Sequence, residues 1–359
     1  MEDTLFPVEG TLFPVDVTDN FTDDSYQYAE TDNTEEFSNF EKLKIFTIIF
    51  YSVIFILGSI GNGLVIWIAG FKVKKTVTLV WFLNLAVADF AFDILFPLQI
   101  TEWIMDGHWP FGRIMCKTIF TVLFLNMSVS TSFLMVISID RCTSVMCPVW
   151  SKNHKTLKLA TTVSVVIWSS CFILSSPYLA FFEVAHDTDS NISYCLPIYG
   201  EDDHTESMRN NAMIISRFVF MFLIPFSMII VCYSLITFRL RRNRSLSGSG
   251  RPFKVIITIV LCFFCFWFPF HVWPLFDYIN IDIDADIDIA VSHIVYSLGF
   301  FNSCVNPIVY AFIGRDFKKS LLKSIPFLLE STFRERIESD ADNQCVRSMV
   351  ETEMETYNP

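Results

Sequence analysis

Seven long apolar stretches interrupt this chain, and they constrain its fold more than any other feature. They run through residues 45–70, 78–100, 118–139, 159–182, 211–238, 253–278 and 289–313. Each exceeds the ~20 residues that a helix, rising about 1.5 Å per residue, needs to cross ~30 Å of hydrocarbon. The first contains no charged side chain between Ile45 and Gly70, which argues against a buried helix of a water-soluble domain. The pattern reads as an all-α membrane protein, a seven-transmembrane helix bundle.

Lys and Arg orient the bundle. The connections after spans one, three and five and the segment after span seven carry sixteen of them, and the opposite side only five, Lys42, Lys44, Arg113, Lys117 and Arg209. Positive charge stays in the cytoplasm, so the N-terminus is expected outside and the C-terminus inside, in a multi-pass plasma-membrane protein. Residues 1–40 show no basic start followed by an apolar run, so span one is expected to act as its own insertion signal.

The charge of -12 sits mainly in the two tails. Residues 1–44 hold twelve acids against two bases, too polar to form a core, and read as a disordered acidic outer arm. Within it Thr4-Leu5-Phe6-Pro7-Val8-Glu9 nearly repeats as Thr11-Leu12-Phe13-Pro14-Val15-Asp16, and two copies do not make a repeat fold. Tyr26 and Tyr28 lie among acids, as sulfated tyrosines or unmodified ones. Of ten cysteines only Cys116 and Cys195 fall on the outer side, where an oxidising compartment is expected to pair them. Sorting the sequons by the same topology keeps Asn20 and Asn191 as glycosylation sites and removes Asn126 and Asn243.

Charged groups within hydrocarbon cost several kcal/mol unless they face a partner or a polar interior. Asp89 lies mid-span, with Asn62, Asn126, Ser130, Asn302 and Asn306 at comparable depths. This set can hold a small hard cation or a water cluster, or be a purely structural hydrogen-bond knot. Asp93, one turn on, faces a similar direction, and two close buried carboxylates discourage simultaneous ionisation. Pro225, Pro269 and Pro307 each remove a helix hydrogen bond and are expected to bend spans five, six and seven. Kinked helices around a polar interior suit two packings of similar energy.

Asn62 between Gly61 and Gly63, Leu85-Ala86-Val87-Ala88-Asp89, Asp140-Arg141-Cys142, Trp168, Pro225 with Tyr233, Phe266-Trp267-Phe268-Pro269 and Asn306-Pro307-Ile308-Val309-Tyr310 occur one set per span. In this order they resemble the rhodopsin-like G-protein-coupled receptors over residues 42–325. Val80–Leu85, His108-Trp109-Pro110-Phe111-Gly112, Pro148–His154 and Phe301-Asn302-Ser303-Cys304 look like the chemoattractant branch, most of all the chemerin (chemokine-like) receptors, with formyl-peptide receptors next.

The resemblance implies a receptor for a peptide or small-protein chemoattractant that signals through a heterotrimeric G protein of the inhibitory class. Asp140, Arg141, Tyr233, Trp267, Pro269, Asn306, Pro307 and Tyr310 would form the activation switch. Asp89, Asn126, Ser130, Asn302 and Asn306 match the family's sodium site, an allosteric Na+ being the one cofactor expected. Residues 314–325 look like the short amphipathic eighth helix on the membrane surface, in contact with lipid, and residues 326–359 like a regulatory tail that binds arrestin when phosphorylated. Phe266 departs from the cysteine that usually precedes Trp267.

Arg217 resembles the branch's ligand-contacting arginine. It either pairs with a peptide's C-terminal carboxylate or forms an internal salt bridge to Glu102 or another acid. Gln99, Glu102, Phe120, Leu123, Phe124, Phe270, His271 and Tyr296 complete the candidate ligand pocket. Asp282, Asp284, Asp286 and Asp288 read as a solvated acidic rim that steers a cationic ligand, since they lack the glycine and distal glutamate of a calcium loop.

Rival readings fare less well. A transporter or channel fits poorly with seven spans and no internal repeat, a retinal photoreceptor needs a lysine in span seven, and an aminergic receptor needs an acid where Leu123 and Phe124 stand. Chemokine receptors proper carry a second outer cysteine pair. Formyl-peptide, lipid-mediator or complement-type ligands, or a scavenging receptor that does not signal, stay open. No catalytic residue, no metal beyond sodium and no nucleic-acid partner is expected.

Overall fold

The computed structural model describes residues 33–187, 191–242, 260–261, 264–279 and 285–313. Five helical segments, Glu41–Lys72, Val77–Ile104, Gly112–Met146, Leu157–Phe181 and His204–Arg239, are long and apolar enough to cross a membrane. A shorter apolar segment, Phe264–Phe276, and a helix at Ala285–Ile313 occupy the places of the sixth and seventh. The eighth helix, the C-terminal tail, Asn20 and the acidic repeat lie outside the described residues.

α1 (Asn33–Trp67) runs on through a π turn, Ile68–Lys72. It begins twelve residues before Ile45, the start expected for span one. Lys44 explains part of the extension: its ammonium pairs with the Asp106 carboxylate in the turn after span two. α2 (Val77–Asp93) starts at Thr76, whose side chain accepts from the Leu79 N–H, an N-cap worth ~1 kcal/mol. It gives way to α3 (Phe96–Ile104), with Pro97 in the first turn, where a missing N–H costs nothing.

α4 (Gly112–Met146) is the central post, packed on spans two, four and five. A short helix α5 (Pro148–His154) follows, then α6 (Leu157–Ser175), capped by Thr156, and α7 (Pro177–Phe181). The next segment adds a small β element to the helical bundle: β1 (Phe182–His186) and β2 (Ser193–Pro197) form an antiparallel hairpin, with Val184 opposite Cys195. The Cys116–Cys195 disulfide anchors this hairpin to the start of α4.

α8 (Asp203–Ser216) begins at Asp202, whose carboxylate accepts from the Thr205 N–H at 2.9 Å. A π turn, Arg217–Leu223, leads into α9 (Ile224–Arg242). Residues 264–272 form α10, followed by α11 (Pro274–Tyr278) and α12 (Ala285–Ile313), which contains Pro307.

Apolar contact alone drives little association in lipid, so close approach and hydrogen bonds set the packing. A Cβ on Gly61 would lie 2.8 Å from Pro307, and one on Gly58 would lie 2.4 Å from the Asp93 carboxylate. These two glycines, three apart on one face of α1, let α12 and α2 come close. Trp168 donates to Asn84 Oδ1 at 2.9 Å, and Asn84 donates to Ser164 at 3.3 Å, joining α2 to α6. Tyr51, Phe92, Phe96 and Phe300 meet edge-on or tilted at 5.0–5.8 Å, tying α1, α2, α3 and α12 together.

Candidate functional site

Mid-bundle, the two span-two carboxylates are fully buried and separately partnered. Asp89 accepts from Asn126 Nδ2 and Ser130 Oγ, both at 3.2 Å, and from Asn306 Nδ2 at 2.8 Å. Asp93 accepts from Ser303 Oγ at 2.6 Å and Asn62 Nδ2 at 2.9 Å. Asn62 was expected beside Asp89. It serves Asp93 instead and also donates to the Ser303 carbonyl at 3.0 Å, because the close seat at Gly58 brings Asp93 onto α1. Asn302 is buried one turn before Asn306 on α12. The donor set of oxygens and amides around Asp89 has the chemistry of a small hard cation site, and the same hydrogen bonds hold α2, α4 and α12 together.

At the opposite end of α4 from the disulfide, Asp140 forms an ion pair with Lys155 at 2.9 Å, while Arg141 stands 3.7 Å from the same carboxylate. Arg141 donates to Thr78 Oγ1 at 2.6 Å, and Lys155 also donates to Ser144 Oγ at 2.7 Å. Lys155 follows α5, so that helix delivers the lysine. Sequence reasoning assigned it only to the positive side. Tyr233 packs on Cys142, Cys232 and Ile236 beside this group. The side chain of Tyr310 lies outside the described residues.

Trp267 is buried on α10, with Phe270 edge-on at 5.1 Å. A Cβ on Gly299 would come within 3.1 Å of its ring, so the indole rests on the bare backbone of α12. Phe266 meets Phe301 at 5.5 Å.

The expected ligand residues fall into two groups. Gln99, Phe120 and Leu123 line a small cavity of about 10 Å³ with Phe92, Leu95, Phe96, Ile119 and Phe300. Phe124, Arg217, Phe270 and His271 gather on the other side, and Tyr296 joins them through Phe270 at 5.2 Å. The Arg217 guanidinium lies 5.1 Å from the Phe270 ring centre and 5.7 Å from that of Phe124, which suits a planar cation on aromatic faces. Arg217, Met221 and Phe222 all face inward from the π turn, a local widening that recurs at functional sites. Pro225, which lacks the N–H that a regular turn would use, stands two residues after the end of that turn.

Glu102 is buried, yet its Oε2 has no hydrogen-bond partner among the described residues, as is also true of Gln99 Oε1. The acidic rim needs correction. Asp286 and Asp288 belong to α12, and Asp288 is buried and accepts from Trp273 Nε1 at 2.8 Å. Asp282 and Asp284 lie outside the described residues.

α7 and the hairpin pack against α4. Tyr178 stacks on Phe124 at 3.6 Å and Phe182 on Phe120 at 4.0 Å. Glu183 pairs with Arg113 at 2.5 Å and Lys117 at 3.2 Å. Burial alone would raise the Glu183 carboxyl, but the hydrogen bonds and attraction of Lys117 and Arg113 prevail and hold it below its ordinary range. Asn191 is exposed in the hairpin turn with a φ of 56°, a backbone region that asparagine tolerates.

The 7 transmembrane receptor (rhodopsin family) profile matches residues 61–310. The chain belongs to the rhodopsin family of seven-transmembrane receptors. Chemerin-like receptor 1 of Sus scrofa is 42% identical to this receptor over 314 residues, 84% of this chain and 85% of the pig protein. The C3a anaphylatoxin chemotactic receptor of Danio rerio is 35% identical over 92% of this chain and 91% of its own length. Formyl peptide receptor 2 of Mus musculus is 35% identical over 88% of this chain and 93% of its own length. The receptor is accordingly a multi-pass membrane protein of the chemoattractant group, not an enzyme, with an extracellular ligand and a G protein as partners.

Proposed function

We propose that this receptor sits in the plasma membrane with its N-terminus outside and binds a chemerin-like peptide or small-protein chemoattractant between α4, the π turn Arg217–Leu223 and α10. The observation that carries the reading is Arg217, a cation buried within the span and laid across the rings of Phe124 and Phe270. A peptide's C-terminal carboxylate is the complementary group. Identity favours the chemerin-like relatives, at 42%, over the C3a and formyl peptide receptors, at 35%.

Occupancy would favour the packing in which Trp267 shifts against Gly299 and the Asp140–Arg141 end opens to a G protein of the inhibitory class. Sodium at Asp89, with Asn126, Ser130, Asn302 and Asn306, would favour the closed packing. The phosphorylated tail would recruit arrestin.

The test is binding of chemerin, and of a synthetic peptide copying its C-terminal end as free acid and as amide, to receptor on the cell surface. Losing one partner of a desolvated charge pair costs ~2–5 kcal/mol. Arg217→Ala should therefore weaken the acid at least ~10-fold and the amide much less. Equal losses for both would show that Arg217 shapes the pocket without reading the carboxylate.

A further inference from the structure

His271 stands one residue beyond Phe270 on α10 and is almost wholly buried, yet neither ring nitrogen has a hydrogen-bond partner among the described residues. Its surroundings are aromatic: Phe222 at 5.0 Å, Phe270 at 5.5 Å and Trp267 at 6.3 Å between ring centres. A buried imidazole without partners is costly. Either protonation state offers at least one N–H, so the missing partner is sought in a ligand.

Two relationships place that N–H beside Arg217. Phe270 carries the Arg217 guanidinium at 5.1 Å and meets the His271 ring edge-on at an interplanar angle of 84°. Phe222, which touches His271, lies five residues after Arg217 within the same π turn. One aromatic frame thus positions a fixed positive charge and a neighbouring N–H.

We propose that Arg217 and His271 form a single two-point receptor for the terminal carboxylate of a peptide ligand, Arg217 holding one oxygen and His271 donating to the other. This deepens the proposed function and rests on it. A carboxylate accepts at both oxygens, whereas a terminal amide gives up the charge and presents an NH2 to one of the two groups. His271 is then a determinant of specificity for acid over amide.

The experiment is competition binding of the chemerin C-terminal peptide, as acid and as amide, to surface-expressed receptor. His271→Phe keeps the aromatic packing and removes both nitrogens. It should weaken the acid about 10-fold and the amide less than about 3-fold, since one charge-assisted hydrogen bond is worth roughly one decade. His271→Gln, which keeps an N–H, should recover most of the loss. If His271→Phe leaves the acid unchanged or weakens both peptides alike, while Arg217→Ala still separates them, this inference fails alone. If Arg217→Ala does not separate them either, the carboxylate reading of the pocket fails too. If neither peptide binds the unaltered receptor, both fail.

Discussion

Lys155 holds the Asp140 carboxylate at 2.9 Å, whereas Arg141, the sequence neighbour of Asp140, stands 3.7 Å from it and donates to Thr78 instead. The lysine competes with the arginine for one acid. Asp140 is thereby drawn toward the α5 end, and Arg141 is left lightly tethered near the surface that would meet a G protein.

Removing the competitor should tighten the Arg141–Asp140 pair and make the arginine harder to release. Partly exposed pairs are worth ~0.5–1 kcal/mol, a two- to fivefold population shift. Lys155→Met should lower ligand-independent nucleotide exchange on a purified G protein by about that factor, and Lys155→Arg should restore it. Raised exchange in Lys155→Met would reverse the assigned role.

Gly58 and Asp93 are mutually fitted, since a Cβ on Gly58 would meet the carboxylate at 2.4 Å. Gly58→Ala should therefore destabilise the detergent-purified receptor by ~1–3 kcal/mol, the usual cost of overpacking, read as a lower unfolding temperature. Adding Asp93→Ala to that variant should return part of the loss. An unchanged unfolding temperature in Gly58→Ala would contradict the close seat.

Asp89 gathers three donors from two other helices, so a cation there should report on their packing. Raising sodium is expected to lower agonist affinity in the unaltered receptor and to have no effect in Asp89→Asn. A sodium response of equal size in both would place the ion elsewhere.

Glu183 gives a pH dependence with a definite sign. Its carboxyl is held below the ordinary value of 4.5 by Lys117 and Arg113, so its contribution is present above that value and lost as pH falls through the lower, folded-state one. The side chain is partly exposed, which screens the effect. Unfolding temperature should be insensitive to this group between about pH 7 and 5 and fall below about pH 4. Glu183→Gln should flatten part of that acid limb, and an identical acid limb in the variant would remove Glu183 from the account.

Sequence alone determined the membrane class and the order of the spans, because ~20 apolar residues have few alternatives once backbone groups must be satisfied within the segment. It also singled out Cys116 and Cys195, since topology left two outer thiols, and Asp89, since an acid in hydrocarbon demands partners. Tertiary structure decided which partners. Asn62 was visible as polar, but its choice of Asp93 over Asp89 depends on how closely α1 approaches α2, which Gly58 sets. Lys155 was visible only as loop charge until α5 brought it to Asp140. Asp288 looked like solvated rim until α12 began early enough to bury it against Trp273. Composition and spacing record what a segment can tolerate, whereas pairings between helices arise from distances of a few ångströms between residues far apart in the chain, and those exist only once the bundle is assembled.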